Sequence, residues 1–173
     1  IIEFLQNGEI LVKPIIMREN LLRSFENKFM LFFTWLSRNS SEIAKEQVAN
    51  TQKNRNELIE MTGIVNAAYK ILVSGKNDFA EFGKLLNETW RLKKSLSTKI
   101  TNGEIDAIYE IALKNGAIGG KLLGAGSGGF ILFYVEPENQ DRLKEALKGY
   151  LHVPFKFDFS GSEIMVYQPG FLS

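Results

Sequence analysis

The chain has 173 residues, 45% of them hydrophobic and 24% charged, enough apolar material for one domain with a real core and too much for a disordered chain. A net charge of +1 lacks the basic excess that a nucleic-acid or membrane-surface role needs, so neither nucleic acid nor membrane is expected as a partner. With no cysteine and a single histidine, His152, disulfides, thiolate chemistry and a histidine-rich metal site are excluded, and with no membrane-length apolar run or signal peptide the default compartment is the cytoplasm.

Residues 1–5 and 9–13 flank Asn7-Gly8, the strongest short hairpin signal, and Pro14 ends the second strand. The chain starts at Ile1 rather than methionine and reads at once as a strand, so we expect it to be the C-terminal part of something longer. Leu21, Leu22 and Phe25 suit a short helical turn, and the apolar run 29–34 suits a buried central strand. Ser40 and Ser41 are candidate N-caps for a helix over about 41–54, whose apolar positions Ile43, Ala44 and Val48 are sparse.

A second helix is expected over 57–73, with Leu58, Met61, Ile64, Val65, Ala68 and Leu72 at helical spacing. Asp78 can cap a third, with Phe79, Phe82, Leu85, Leu86, Thr89 and Leu92 on one face and Trp90 read as core. The run Arg91-Leu92-Lys93-Lys94 reads as a short basic helical face, far too small to imply nucleic acid. Ile105, Ile108, Ile111, Ala112 and Leu113 mark a fourth helix between the breaks Asn102-Gly103 and Asn115-Gly116. Strands follow at 121–123 and 130–135. Pro137 opens a fifth helix carrying Leu143, Ala146 and Leu147, and two alternating strands, 152–159 and 163–167, flank Ser160-Gly161. This order predicts an α+β fold, a ferredoxin-like split β-α-β sandwich with extra helices in its first crossover.

The most informative stretch lies between the strands at 121–123 and 130–135. Six glycines fall between 119 and 129, giving a backbone that can turn through positive φ and expose consecutive amides as an anion-binding nest. Gly124, Gly126 and Gly129 satisfy G-x-G-x-x-G, but a strand follows where a dinucleotide-binding turn has a helix. Walker A fails because Asn115 stands where its first glycine belongs and Leu122 follows the lysine. The protein-kinase reading fails because no catalytic H-R-D loop or D-F-G follows.

Lys121-Leu122-Leu123-Gly124-Ala125-Gly126-Ser127-Gly128-Gly129 resembles throughout the third signature motif of the GHMP kinases, roughly K-x-x-G-A-G-[GS]-G-G. This is the family of galactokinase, homoserine kinase, mevalonate kinase and phosphomevalonate kinase, whose C-terminal domain is ferredoxin-like. The segment 31–43, Leu-Phe-Phe-Thr-Trp-Leu-Ser-Arg-Asn-Ser-Ser-Glu-Ile, followed by Gln47, resembles the heptose kinase branch pattern L-F-[YF]-T-G-x-x-R-x-[SA]-x-x-I. Trp35 stands where that pattern has glycine. The stretch from Val153-Pro154-Phe155 through Val166-Tyr167 is similar to the closing hairpin of the same branch.

The resemblance implies ATP-dependent, Mg²⁺-assisted phosphoryl transfer to a sugar hydroxyl, with D-glycero-D-manno-heptose 7-phosphate taken to the 1,7-bisphosphate. It also implies that the P-x-x-x-G-L-G-S-S loop and the catalytic aspartate lie upstream of Ile1, in an N-terminal GHMP domain of the same parent chain. Residues 1–14 are then the closing hairpin of that ATP-binding domain and 15–173 the C-terminal domain. No catalytic residue is expected within this chain, which alone is expected to be inactive. Gly124, Ala125, Gly126, Ser127, Gly128 and Gly129 are placed beside the transferring phosphate, where amides stabilise negative charge.

The candidate substrate-binding residues are Arg38, Ser40, Gln47 and Lys121. Arg38 suits a bidentate phosphate contact and equally a solvated or capping role. Ser40 and Ser41 read as N-caps ahead of ligands, and Lys121 is balanced between a phosphate and a structural ion pair. His152 has no serine or carboxylate arrangement around it and reads as an ordinary strand-end residue. Two alternatives stand beside the heptose reading: a fucokinase-like or galactokinase-like kinase, and a non-catalytic module that binds a phosphorylated metabolite.

Overall fold

The computed structural model describes residues 1–36, 40–124, 128–160 and 163–164, with the backbone alone for 40–42. The elements run β1 (Ile2–Phe4), β2 (Ile10–Val12), α1 (Glu19–Glu26), β3 (Phe29–Phe33), α2 (Ser40–Ala49), α3 (Arg55–Val73), α4 (Ala80–Ser95), α5 (Gly103–Lys114), β4 (Ala117–Leu122), β5 (Phe130–Val135), α6 (Pro137–Ala146) and β6 (Leu151–Val153). The hairpin β1–β2 forms a separate two-stranded sheet, turned at Asn7-Gly8. The main sheet has the order β4-β5-β3-β6 with antiparallel neighbours throughout, which is the split β-α-β arrangement with α2 to α5 filling the first crossover.

Local chemistry explains the element ends. The Asn102 side chain accepts a hydrogen bond from Ile105 N (2.9 Å) and caps α5, so the predicted break is also a start. Asp78 Oδ1 accepts from Ala80 N (3.2 Å) at the start of α4, and Pro137 supplies the first turn of α6. The main core joins Met30 and Phe32 of β3, Ile131, Phe133 and Val135 of β5, and Trp90, Ile105, Ile108 and Leu143 of the helices. A second, aromatic cluster gathers Phe25, Phe79 and Tyr134, with Phe29, Phe82 and Phe157 against it.

The structure corrects the sequence reading in four places. The strand expected at 121–123 is β4, which already begins at Ala117 and includes Gly119 and Gly120. Gly119 is there because α4 lies almost on the strand, a Cβ falling 2.1 Å from Gly83 O and 2.7 Å from Asn87 N, and Gly120 because a Cβ would meet Phe133 Cδ1 of β5 at 2.5 Å. The strand expected at 152–159 shrinks to Leu151–Val153, since Pro154 has no N–H to offer a partner. Phe157 instead donates its N–H to Glu26 Oε2 (2.6 Å), tying the chain to α1. The strand expected at 163–167 falls mostly outside the described residues; Glu163 and Ile164 are in no strand. Finally, α3 buries none of its apolar positions fully, with Val65 54% exposed, and on α5 it is Tyr109 rather than Ile111 or Leu113 that goes into the core.

Where β3 ends, Trp35 has φ +59, a left-handed backbone that costs an L side chain about 1–2 kcal/mol. Its ring lies edge-on to Phe33 with centroids 4.8 Å apart, while the residue stays 65% exposed. Two predictions follow from these backbone constraints. Gly119→Ala should lower stability by about 3 kcal/mol, because the clashing atoms are backbone and cannot swing away; urea unfolding measures this, and an unchanged midpoint refutes the close approach. At position 35, Gly should be more stable than Ala by about 1 kcal/mol, the reverse of the usual order, read by comparing the unfolding of W35G and W35A.

Candidate functional site

The glycine turn is held by β3 and β5. Their register sets Phe33 opposite Phe130, so the residues just beyond, Thr34 and Gly129, face each other at the same end of the sheet. Thr34 donates twice to the Gly129 carbonyl, from its N–H and from Oγ1, both at 2.9 Å, and is itself buried. Gly129 N in turn donates to Leu36 O at 2.9 Å. Gly128 sits so close to this segment that a Cβ there falls 2.4 Å from Leu36 O. The descending arm of the turn is thus clipped to the segment leaving β3, the same segment that carries the arginine pattern in the sequence.

The ascending arm is held from the other side. The Tyr109 hydroxyl accepts from Gly120 N (3.0 Å) and donates to Asn87 Oδ1 (2.7 Å), bridging α5, β4 and α4. Burial pushes this phenol well above its ordinary range, so it stays a neutral donor. One turn beyond Trp90 on α4, Lys93 Nζ donates to Gly124 O at 2.7 Å, where Gly124 turns with φ +82. Burial, and after it repulsion from Lys121, pulls the Lys93 ammonium down to about 8.

The structure therefore brings together Lys121, Gly124, Gly128 and Gly129, and adds Lys93, Tyr109 and Thr34. Arg38, Ala125, Gly126 and Ser127 lie outside the described residues, as does the Ser40 side chain; Ser40 itself starts α2. Gln47 lines a cavity of about 210 Å³ with Val48, Thr51, Asn54, Leu58 and Leu96, none of whose walls comes from the glycine turn. Its Nε2 is buried with no hydrogen-bond partner among the described residues. A larger cavity, about 700 Å³, opens beside β6 and takes in Trp35, Lys144, Tyr150 and His152, again without the turn. There burial, with Lys144 adding to it, pulls the His152 imidazole below its ordinary range.

Sequence reasoning missed Lys93 because it sits in a basic run that looks solvated. The run in fact divides: Arg91 pairs with Glu88 and Glu60, Lys94 with Asp106, and Lys93 turns to the loop. The signal was available in the helical spacing. Gly83, Trp90 and Lys93 fall on one stripe, so a lysine ends the face that meets the sheet. Among the described residues there is no group of three or more His, Asp or Glu side chains able to hold a metal ion, and no helix long and apolar enough to cross a membrane.

Residues 68–153 match the family model described as GHMP kinases C terminal, a span that runs from α3 through the glycine turn to β6. The chain is 32% identical over 163 residues to the D-glycero-alpha-D-manno-heptose 7-phosphate kinase of Campylobacter jejuni subsp. jejuni serotype O:2, covering 92% of this chain and 48% of that protein. Among solved structures, a D-glycero-D-manno-heptose 1-phosphate kinase from Bacteriodes thetaiotaomicron superposes with a TM-score of 0.55 at 27% identity, over 90% of this chain and 41% of that one. The mevalonate kinase of L. major, solved with R-mevalonate, shares the fold, with a TM-score of 0.65 at 22% identity over 83% of this chain and 43% of that one. The chain spans about half the length of the curated relative it matches. With the ferredoxin-like sheet, the clipped glycine turn and the family match in agreement, the chain belongs to the GHMP kinases, as a C-terminal domain of that family.

Proposed function

We propose that the parent protein is an ATP-dependent sugar kinase that phosphorylates D-glycero-D-manno-heptose 7-phosphate at its anomeric hydroxyl. One observation carries this reading. The similarity to the Campylobacter heptose kinase covers 92% of the chain, so it includes both the glycine turn and the segment leaving β3 to which the turn is clipped. In that reading ATP supplies the phosphoryl group, and Mg²⁺ travels with its phosphates and takes its protein ligands from the other half of the enzyme.

The residues of this half position rather than react. Thr34 and Leu36 fix the descending arm of the turn, and Tyr109 and Lys93 fix the ascending arm. A turn anchored on both arms aims its amides without reorganising when charge develops, which is where electrostatic catalysis gains most. Lys121 adds positive charge at the mouth of the turn, and in the same reading Arg38 and Ser40 extend the site toward the sugar phosphate. Gln47, facing its own cavity, has the weakest support of the four.

We also place residues 1–14 with an N-terminal ATP-binding domain and 15–173 in the C-terminal domain. The hairpin supports this: β1 and β2 pair only with each other among the described residues, and they leave Phe4 77% and Val12 71% exposed, an apolar surface suited to burial against further chain.

The test is ADP release by the full open reading frame containing this chain, supplied with Mg-ATP and D-glycero-D-manno-heptose 7-phosphate, fucose, galactose or no sugar. Release dependent on the heptose phosphate is expected. Release with another sugar keeps the kinase and rejects the substrate, and a folded full-length protein that turns over none of them rejects the reading. The present 173 residues on their own should give no turnover above the no-enzyme rate.

A further inference from the structure

We propose that Lys93 and Lys121 together form a dibasic clamp at the mouth of the glycine turn, which takes a phosphate group of the bound ligand between them. The proposal deepens the kinase reading and rests on it for the ligand class, a phosphorylated metabolite or nucleotide.

Helix α4 carries four basic side chains, and all but Lys93 meet carboxylates: Lys84 pairs with Glu81, Arg91 with Glu88 and with Glu60 of α3, and Lys94 with Asp106 of α5. Lys93 alone on this helix is turned onto a carbonyl, Gly124 O, three residues beyond Lys121, which lies on the same face of β4 as Gly119, the face that meets α4. Neither Lys93 nor Lys121 has a carboxylate partner among the described residues. Two cations on the α4 side of the same turn, one of them partly buried, repel and are poorly solvated, so the arrangement costs free energy in the absence of a ligand. A purely structural tie to Gly124 O needs one donor, not a second cation beside it.

An anion removes both costs. A phosphate oxygen offers Lys93 a charged acceptor in place of a neutral carbonyl, and neutralises the repulsion from Lys121. The position fits, since the carbonyl that Lys93 holds is that of Gly124, where the chain leaves β4 through a positive φ into the glycine motif. Because burial and Lys121 hold Lys93 at about 8, it is half charged at that pH in the free protein, and an arriving phosphate draws a proton onto it. The charged groups around this end of α4 do not offset that effect: Glu88, Glu60 and Asp106 are engaged by Arg91 and Lys94, and Lys121 repels.

The experiment is titration calorimetry on the full-length parent protein at pH 8, run in HEPES and in Tris so that the difference in buffer heats counts protons. The probes are D-glycero-D-manno-heptose 7-phosphate, the β,γ-imido analogue of ATP with magnesium, and magnesium pyrophosphate; they separate a sugar phosphate from a nucleotide as the source of the group. The probe that reaches the clamp should take up about half a proton in the wild type. K93R, which stays charged, should bind it within about threefold and take up none; K93M should bind it about tenfold more weakly, with unchanged thermal unfolding. Proton uptake undiminished in K93R, or K93M binding every probe as the wild type does, overturns the clamp while leaving the kinase reading intact. Uptake with the nucleotide but no binding of the heptose phosphate supports the clamp and rejects the proposed substrate. A folded wild type that binds none of the three probes overturns both.

Discussion

Where α4 crosses β4, backbone packs directly against backbone. At Gly119 there is no room for a methyl group, since Gly83 O and Asn87 N occupy that space, and at Gly83 the ring of Tyr134 does the same from the sheet side. Two missing side chains let the helix settle onto the sheet edge, and several other features rest on that. Asn87 comes within reach of Tyr109, Tyr109 can then bridge to both polar groups of Gly120, and Trp90 is buried over the core. One helical turn further on, the same approach delivers Lys93 to the first carbonyl of the glycine turn. Larger residues at Gly83 or Gly119 push the helix out, and the lysine moves with it.

The second arm of the turn depends on strand register rather than on helix packing. Because β3 and β5 pair with Phe33 opposite Phe130, the first residues past each strand meet, and Thr34 can spend both its donors on Gly129. Closing the clip requires the chain to reverse direction at once after Thr34, which forces Trp35 to φ +59. The strain is local and is partly offset by the ring contact with Phe33. That a bulky residue is kept in a glycine-like conformation beside the candidate site fits the general pattern of strain gathering where function needs a fixed geometry.

Much of the architecture was legible in the chain because it rests on local signals. Asn7-Gly8 specifies its hairpin, the run 130–135 is a strand by composition, and Asn115-Gly116 and Pro137 punctuate α5 and α6, which precede and follow β4 and β5 in the chain. The misreadings share a cause: the deciding partner is distant in sequence. Gly119 and Gly120 look like loop by propensity and are strand because α4 needs the emptiness at Gly119 and β5, through Phe133 and Leu132 O, the emptiness at Gly120. The alternation 155–159 looks like strand and is not, because its apolar residues pack on α1 instead of pairing, as Phe157 does against Phe25. At the site, the turn could be found from its glycines, whereas Lys93 could not be told from Lys94 without knowing that one faces Gly124 and the other Asp106.

The chemistry of the described side chains around the turn is one-sided, and this bears on the proposed kinase reading. Phosphoryl transfer needs groups that hold and neutralise phosphate, and one that orients or deprotonates the attacking hydroxyl. The described side chains at the turn, Thr34, Lys93, Tyr109 and Lys121, are hydrogen-bond donors or cations; burial keeps the phenol protonated, and no carboxylate is engaged with either lysine. These described side chains suit the first task, and none of them is a carboxylate suited to the second. If the base stood in this half, close to Lys93 and Lys121, their charge would hold it deprotonated but also poorly basic, weakening it for the step it serves. Under the proposed function, a base set apart from Lys93 and Lys121 keeps its own electrostatic surroundings while the two lysines act on the phosphate alone.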